Sequence, residues 1–149
     1  MSILQTIDHD LKEALKNKSE ERLSTLRMLK SDIMYEQTKG TEELPDEKIV
    51  EVLMRSAKRR KEAVQEFTKA GRKDLADKEA AELVIIEHYL PRQMGEAELA
   101  QAIDNKIQEM GEVTKKDFGK VMSAIMKDLK GQVDGAMVKT ILTQKLENR

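Results

Sequence analysis

Only two prolines, Pro45 and Pro91, interrupt 149 residues in which apolar side chains recur every three or four positions. Proline lacks the backbone donor and clashes with the preceding helical turn, so a chain that uses it this sparingly leaves long stretches free to stay helical. Aromatic residues are 3% of the chain and charged residues 37%, a balance that suits solvated helices better than sheets or sandwiches. The fold class expected is all-α.

Ser2 is placed to cap a first helix with Ile3, Ile7, Leu11 and Leu15 on its buried stripe, ending near Asn17. Ser19 is placed to cap a second, which buries Leu23, Leu26, Leu29 and Ile33 until "TKGTEELPDE" stops it. From Asp46 to Ala70 the stripe Ile49, Leu53, Ala57, Val64, Phe67 predicts a third, roughly 37 Å long at 1.5 Å per residue and stopped by Gly71. A fourth is expected to start at Asp74, with Asp77 in the capping-box position, and to run to Pro91 along Leu75, Glu79, Leu83, Ile86 and Leu90. The stretch "LPRQMGE" joins a proline to a glycine between two helical patterns, which divides an N-terminal domain of about four helices, residues 1–92, from a three-helix domain, residues 95–149. The latter begins with a helix carrying Leu99, Ile103, Ile107 and Met110 and ending at Gly111. A second starts at Thr114, with Asp117 as capping-box partner, and buries Phe118, Val121, Met122, Ile125 and Leu129; a third is capped by Asp134 and buries Val138, Ile141, Leu142 and Leu146.

Several functions are disfavoured by the residues themselves. Cysteine is absent, so there are no thiolate ligands, disulfides or cysteine nucleophiles. His9 and His88 are far apart in sequence, without the spacing of a zinc site, and are expected at the surface; no glycine-rich nucleotide loop or GxSxG turn occurs. No cofactor, metal or catalytic residue is expected. No apolar run approaches the roughly 20 residues that span a bilayer, and "MSILQTIDHDLKEAL" carries acids where a secretory signal would be apolar, so a cytoplasmic protein without membrane contact is expected.

Net charge is −1, so any contact with RNA must come from a local patch. Residues 55–73 hold eight cations, among them Arg55, Lys58, Arg59, Arg60 and Lys61, against Glu62 and Glu66, for a local +6. Possible i,i+4 partners, Glu51 with Arg55 and Lys58 with Glu62, favour a solvated helix face over a phosphate track. Arg60 and Glu79 each fall within an apolar stripe, which predicts that they pair across two helices. Residues 115–139 hold Lys115, Lys116, Lys120, Lys127, Lys130 and Lys139 against three aspartates, for +3. Within them "MKDLKGQVDGAMVK" could be a phosphate cradle or helix punctuation; Asp134 can accept from the N–H groups of the helix beginning at Gly135, so a cap is expected. Gly119 and Ser123, one turn apart, are expected to admit a neighbouring helix. Tyr35, Phe67, Tyr89 and Phe118 are expected mostly in the core, which leaves little for base stacking.

The segments "RRKEAVQEFTKAGRKDLADKEAAELVIIEHYLPRQM" and "KDFGKVMSAIMKDLKGQVDG" resemble the GatB/YqeY family, in which an acidic helix running into a YLP turn precedes a GKVM helix and a KG-x-x-DG loop. The motif residues are Tyr89, Leu90, Pro91, Gly119, Gly131, Asp134 and Gly135; Phe118, Ser123, Gln132 and Val133 depart from the family's frequent DMGKVMG and KGRADG. The resemblance implies a C-terminal domain similar to the tail of the GatB subunit of tRNA-dependent amidotransferases, an appendage that contacts tRNA while the chemistry occurs elsewhere. It therefore implies a tRNA-associated accessory protein, with tRNA or an amidotransferase or synthetase component as partner and no ligase centre of its own. A helical adaptor that docks on protein without touching RNA is the alternative.

Overall fold

A computed structural model describes residues 1–147 and is helical throughout its regular structure. The order is α1 (Ile3–Lys16), α2 (Glu20–Gln37), α3 (Asp46–Lys69), α4 (Lys73–Glu87), α5 (Glu96–Met110), a short 3-10 turn (Lys115–Asp117), α6 (Phe118–Asp128) and α7 (Gly135–Leu146). These helices form two compact units, Met1–Pro91 and a second beginning at Arg92, where the sequence places its break at residues 92–95. Asn148 and Arg149, the end of the expected second domain, lie outside the described residues.

In the first unit, α1 to α4 close over Ile7, Leu26, Leu29, Ile33, Ile49, Leu53 and Ile86, all essentially inaccessible to solvent. The helices start and stop for identifiable reasons. Ser2 caps α1 as the sequence predicts, and Gln5 completes a capping box with it. α1 ends in a Schellman turn: Ser19 N–H donates to Ala14 O at 3.0 Å and Lys18 N–H to Leu15 O at 3.3 Å, with Lys18 at φ 53° in the position that favours glycine. Ser19 also stands at the N-cap of α2, its carbonyl accepting from Leu23 N–H at 2.8 Å, but contrary to expectation its hydroxyl makes no capping hydrogen bond there. α3 closes the same way around Gly71, at φ 73°, with Arg72 N–H reaching Phe67 O at 2.8 Å. The expected Asp74–Asp77 capping box is not formed. α4 starts one residue earlier with Arg72 at its N-cap, and Asp74 accepts from that guanidinium through two 3.2 Å hydrogen bonds. The guanidinium holds the Asp74 carboxyl below its ordinary value.

Two apolar assignments also fail. Leu15 is 59% exposed and Ala14 occupies the core in its place; Tyr35 is 66% exposed, with the Lys39 ammonium 5.1 Å from its ring centre. A stripe built on steps of four advances about 40° per step around a helix of 3.6 residues per turn, so Leu15 has rotated out of the core while Ala14, seven residues after Ile7, has stayed.

The second unit is a three-helix cluster around Leu99, Ile103, Val121, Ile125, Val138 and Leu142. Lys106 of α5 meets Asp128 at the end of α6 at 2.5 Å, and Lys145 of α7 meets Asp104 of α5 at 2.7 Å, so two ion pairs tie all three helices together. Asp128 raises the Lys106 pKa above its ordinary value by favouring the ammonium.

Candidate nucleic-acid interface

The two family motifs are built into the frame of the molecule. Tyr89, 8% exposed, donates from its hydroxyl to Asp10 Oδ2 of α1 at 2.5 Å, and the same carboxylate oxygen lies 3.6 Å from the Arg22 guanidinium of α2. Burial, reinforced by the Asp10 carboxylate, pushes the phenol pKa well up. With Leu90 also buried, the YLP stretch fastens the end of α4 to the first two helices, and Pro91 ends the unit.

In the second unit the residues after Pro91 hold the KG-x-x-DG loop. Gln93 Nε2 donates to Gly131 O at 2.7 Å, Met94 N–H donates to Gln132 O at 2.9 Å, and Arg92 forms a two-pronged pair with Glu98 in the first turn of α5. Gly131 is buried at φ 80°, a conformation that suits glycine. Asp134 Oδ1 accepts from Ala136 N–H at 2.9 Å, and a side chain added at Gly135 would stand 3.6 Å from Met126 Cε. The loop is a cap, and its own carboxylate occupies the N-terminus of α7.

The lysines of this unit fall into two groups. Lys106 and Lys145 join helices; Lys116, Lys120, Lys127 and Lys139 are exposed and, among the described residues, have no carboxylate within ion-pair distance. Lys130 is exposed but already engaged. Thr114 and Asp117 form the expected capping box, with Thr114 N–H donating to Asp117 Oδ2 at 3.0 Å, although it shapes the 3-10 turn that carries Lys115 and Lys116 rather than α6 itself. At about 100° per residue, Lys120, Ser123 and Lys127 share the side of α6 opposite buried Val121 and Ile125. Gly119 stands beside them with open space where a side chain would begin, so the expected close approach of a neighbouring helix does not occur there; Gly119 and Ser123 lie on an open surface.

The N-terminal cations are placed differently. Arg55 and Arg59 of α3 each lie 3.5 Å from an acid of α2, Glu36 and Asp32 respectively. With Lys58 they line a groove of about 650 Å³ that also holds Glu62, so cations and acids nearly balance along it. Arg55 thus pairs across to α2 rather than with Glu51 on its own helix. Lys58 is exposed, Lys61 half-buried. Arg60 is turned inward, its side chain 12% exposed: Nε lies 3.5 Å from Glu82 and 4.0 Å from Glu79, and Nη2 donates to the Met28 sulfur. The sequence finds Glu79 as a partner and misses the nearer Glu82, one turn further along α4. Asp10 is missed too, although it sits three residues after Ile7 and four before Ala14, the same sign of an acid at the edge of a stripe. His9 and His88 are exposed, and no group of three or more potential metal ligands occurs among the described residues. No helix among them is long and apolar enough to cross a membrane.

Similar proteins give this arrangement a family. A protein named "Altered inheritance of mitochondria protein 41, mitochondrial" from Pyrenophora tritici-repentis is 26% identical over 133 residues, 87% of this chain and 72% of its own length. Its namesake from Kluyveromyces lactis is 32% identical over 126 residues, covering 79% of this chain and 68% of the relative. An uncharacterized Schizosaccharomyces pombe protein is 32% identical over 81 residues, 54% of this chain and 66% of the relative. The model of the family described as Yqey-like protein matches residues 4–146, from the first turn of α1 to the last residue of α7, and the chain belongs to that family.

Proposed function

We propose that this chain is a tRNA-associated accessory protein that meets RNA phosphates through the outer face of α6, with Lys139 of α7 as a further contact, and that it has no catalytic centre of its own. The observation that supports this most is the contrast in pairing: the exposed α6 lysines have no acidic neighbour within ion-pair distance, whereas on α3 Arg55, Arg59 and Arg60 are paired with acids of α2 and α4, although Lys58 and Lys61 among them are not. A cation without an intramolecular partner is free to neutralise a phosphate, and the cations condensed on the RNA that are released in the exchange drive binding. The similarity of the second unit to the tRNA-contacting tail of an amidotransferase subunit, and a cytoplasmic setting, belong to the same proposal. The protein-adaptor reading draws on the charge-balanced groove between α2 and α3, beside the exposed Met34 and Tyr35.

Retention of tRNA on a filter across a salt series tests the proposal. Three phosphate contacts give log K a slope of roughly −2 to −3 against log salt. Replacing Lys116, Lys120 and Lys127 together with glutamate is expected to abolish retention, and the same change at Arg55, Lys58 and Lys61 to reduce it only slightly. Absence of binding at about 50 mM salt, or a larger loss from the N-terminal set, favours the adaptor reading.

A further inference from the structure

The groove between α2 and α3 carries its charges in two rows. Arg55 lies 3.5 Å from Glu36, and Arg59 lies 3.5 Å from Asp32. A step forward along α2 is thus matched by an equal step back along α3, so the two helices run antiparallel with each acid level with its cation. The α2 side of the groove holds the acids Asp32 and Glu36, and the α3 side holds the cations Arg55, Lys58 and Arg59. Lys39 and Glu62, at opposite ends, depart from this order, and Lys39 is itself paired with Glu36 at 3.2 Å. Pairing across the groove is incomplete. Contacts of 3.5 Å are longer than the roughly 2.7–2.9 Å of a charge-assisted hydrogen bond, and Asp32 Oδ2 has no hydrogen-bond partner. Both arginines are mostly exposed, and Lys58 has no ion-pair partner among the described residues.

We propose that this face binds the same face of a second copy of the chain, about a two-fold axis parallel to α2 and α3. Such an axis exchanges the rows, laying the acids of one copy's α2 over the cations of the other copy's α3. Because each acid is already level with its cation within one chain, Asp32 of one copy comes opposite Arg59 of the other, and Glu36 opposite Arg55, without any shift in register. Neighbouring helices are then antiparallel throughout, as in a four-helix bundle. A partner of one sign gains from one row and is repelled by the other, whereas a copy of this helical pair complements both. Tyr35, exposed on the groove wall at the level between Arg55 and Arg59, is carried over the other copy's guanidinium groups, to which its ring offers a cation–π surface. The dimer does not depend on the RNA contact, which lies on another unit of the chain.

Exposed ion pairs are screened by salt, so the test begins with sedimentation equilibrium of the full chain over a series of concentrations and salts. The mass is expected to reach that of two chains at low salt and to fall to that of one near 1 M salt, where the screening length is about 3 Å. Arg55→Glu, Lys58→Glu and Arg59→Glu together make the face acidic; Asp32→Lys with Glu36→Lys makes it basic. Each variant alone is expected to stay monomeric where the wild type dimerises, and an equimolar mixture of the two is expected to dimerise again. If either variant loses helical circular dichroism, the wild type decides. In a mixture of isotopically labelled and unlabelled chains, carbodiimide is expected to join Lys58 of one copy to Asp32 or Glu36 of another. A monomer at every concentration overturns the proposal. A dimer that persists in both variants, or that lacks these crosslinks between copies, places the interface elsewhere and overturns it too, as does a mixture of folded variants that stays monomeric.

Discussion

Arg60 is the residue at which local and long-range requirements meet. A guanidinium within an apolar stripe costs several kcal/mol of desolvation unless acids meet it, and here it has Glu82 at 3.5 Å, Glu79 at 4.0 Å and the Met28 sulfur. Both carboxylates retain some access to water, 26% for Glu79 and 17% for Glu82, so the penalty for losing Arg60 falls below the roughly 3–5 kcal/mol of a fully buried broken pair. Arg60→Met keeps the apolar stem and is expected to cost about 1–3 kcal/mol by urea unfolding. Adding Glu82→Gln is expected to recover about 1 kcal/mol of that, because it relieves the acid pair left behind. Strict additivity of the two changes would show that Arg60 acts through packing alone. The sequence reveals the misplaced charges but not their geometry: Glu79 lies on the apolar stripe, whereas Glu82, three residues on, reaches the same guanidinium from outside it.

At the scale of the helix, what the sequence makes legible depends on how the signal is carried. Stops marked by glycine are readable, and α3 ends at Gly71 as expected because its Schellman turn needs a left-handed residue; the proline stop is less exact, since α4, expected to run to Pro91, ends at Glu87. The end of α1 uses the same turn with a lysine in the glycine position, so composition gives no sign of it, and Ser19 takes the N-cap position of α2 that the sequence gives it without the hydroxyl hydrogen bond expected there. This makes a prediction: Lys18→Gly removes a left-handed cost of about 1–2 kcal/mol while adding freedom to the unfolded chain, and is expected to stabilise the protein by about 0.5–1 kcal/mol by thermal or urea denaturation. Destabilisation would mean that α1 does not end in that turn. Counting in fours puts Leu15 inside, and the drift of that stripe around the helix puts it outside; Tyr35, expected inside only as an aromatic, lies off the stripe Leu23, Leu26, Leu29 and Ile33 and is exposed. On α6 the apolar face was readable through Val121 and Ile125, but the openness around Gly119 was not, since a small residue looks the same whether a helix or solvent stands beside it.

For the whole molecule, the two sets of apolar stripes correspond to two cores, one closed by α1 to α4 and the other by α5 to α7. We propose that each folds by itself: residues 1–92 and 95–149, expressed separately, are expected to keep helical circular dichroism, with the shorter piece less stable because its core is smaller and because it lacks the Arg92–Glu98 pair and the Gln93 and Met94 hydrogen bonds to the KG-x-x-DG loop. Loss of helicity in both would contradict the division. Family membership was legible from two long motifs, and the structure assigns most of their residues to the frame: Tyr89 to Asp10, Gly131 to Gln93, Asp134 to the cap of α7. The surface proposed to act lies instead on lysines that were indistinguishable in sequence from those tying the helices together. The most direct test of that surface is to crosslink the full chain to tRNA and identify by mass spectrometry the peptides that carry nucleotide. The account predicts that the modified residues concentrate between Lys115 and Lys139, on the outer face of α6 and near the start of α7; crosslinks concentrated on α2 and α3, or none above a protein control of equal charge, would contradict it.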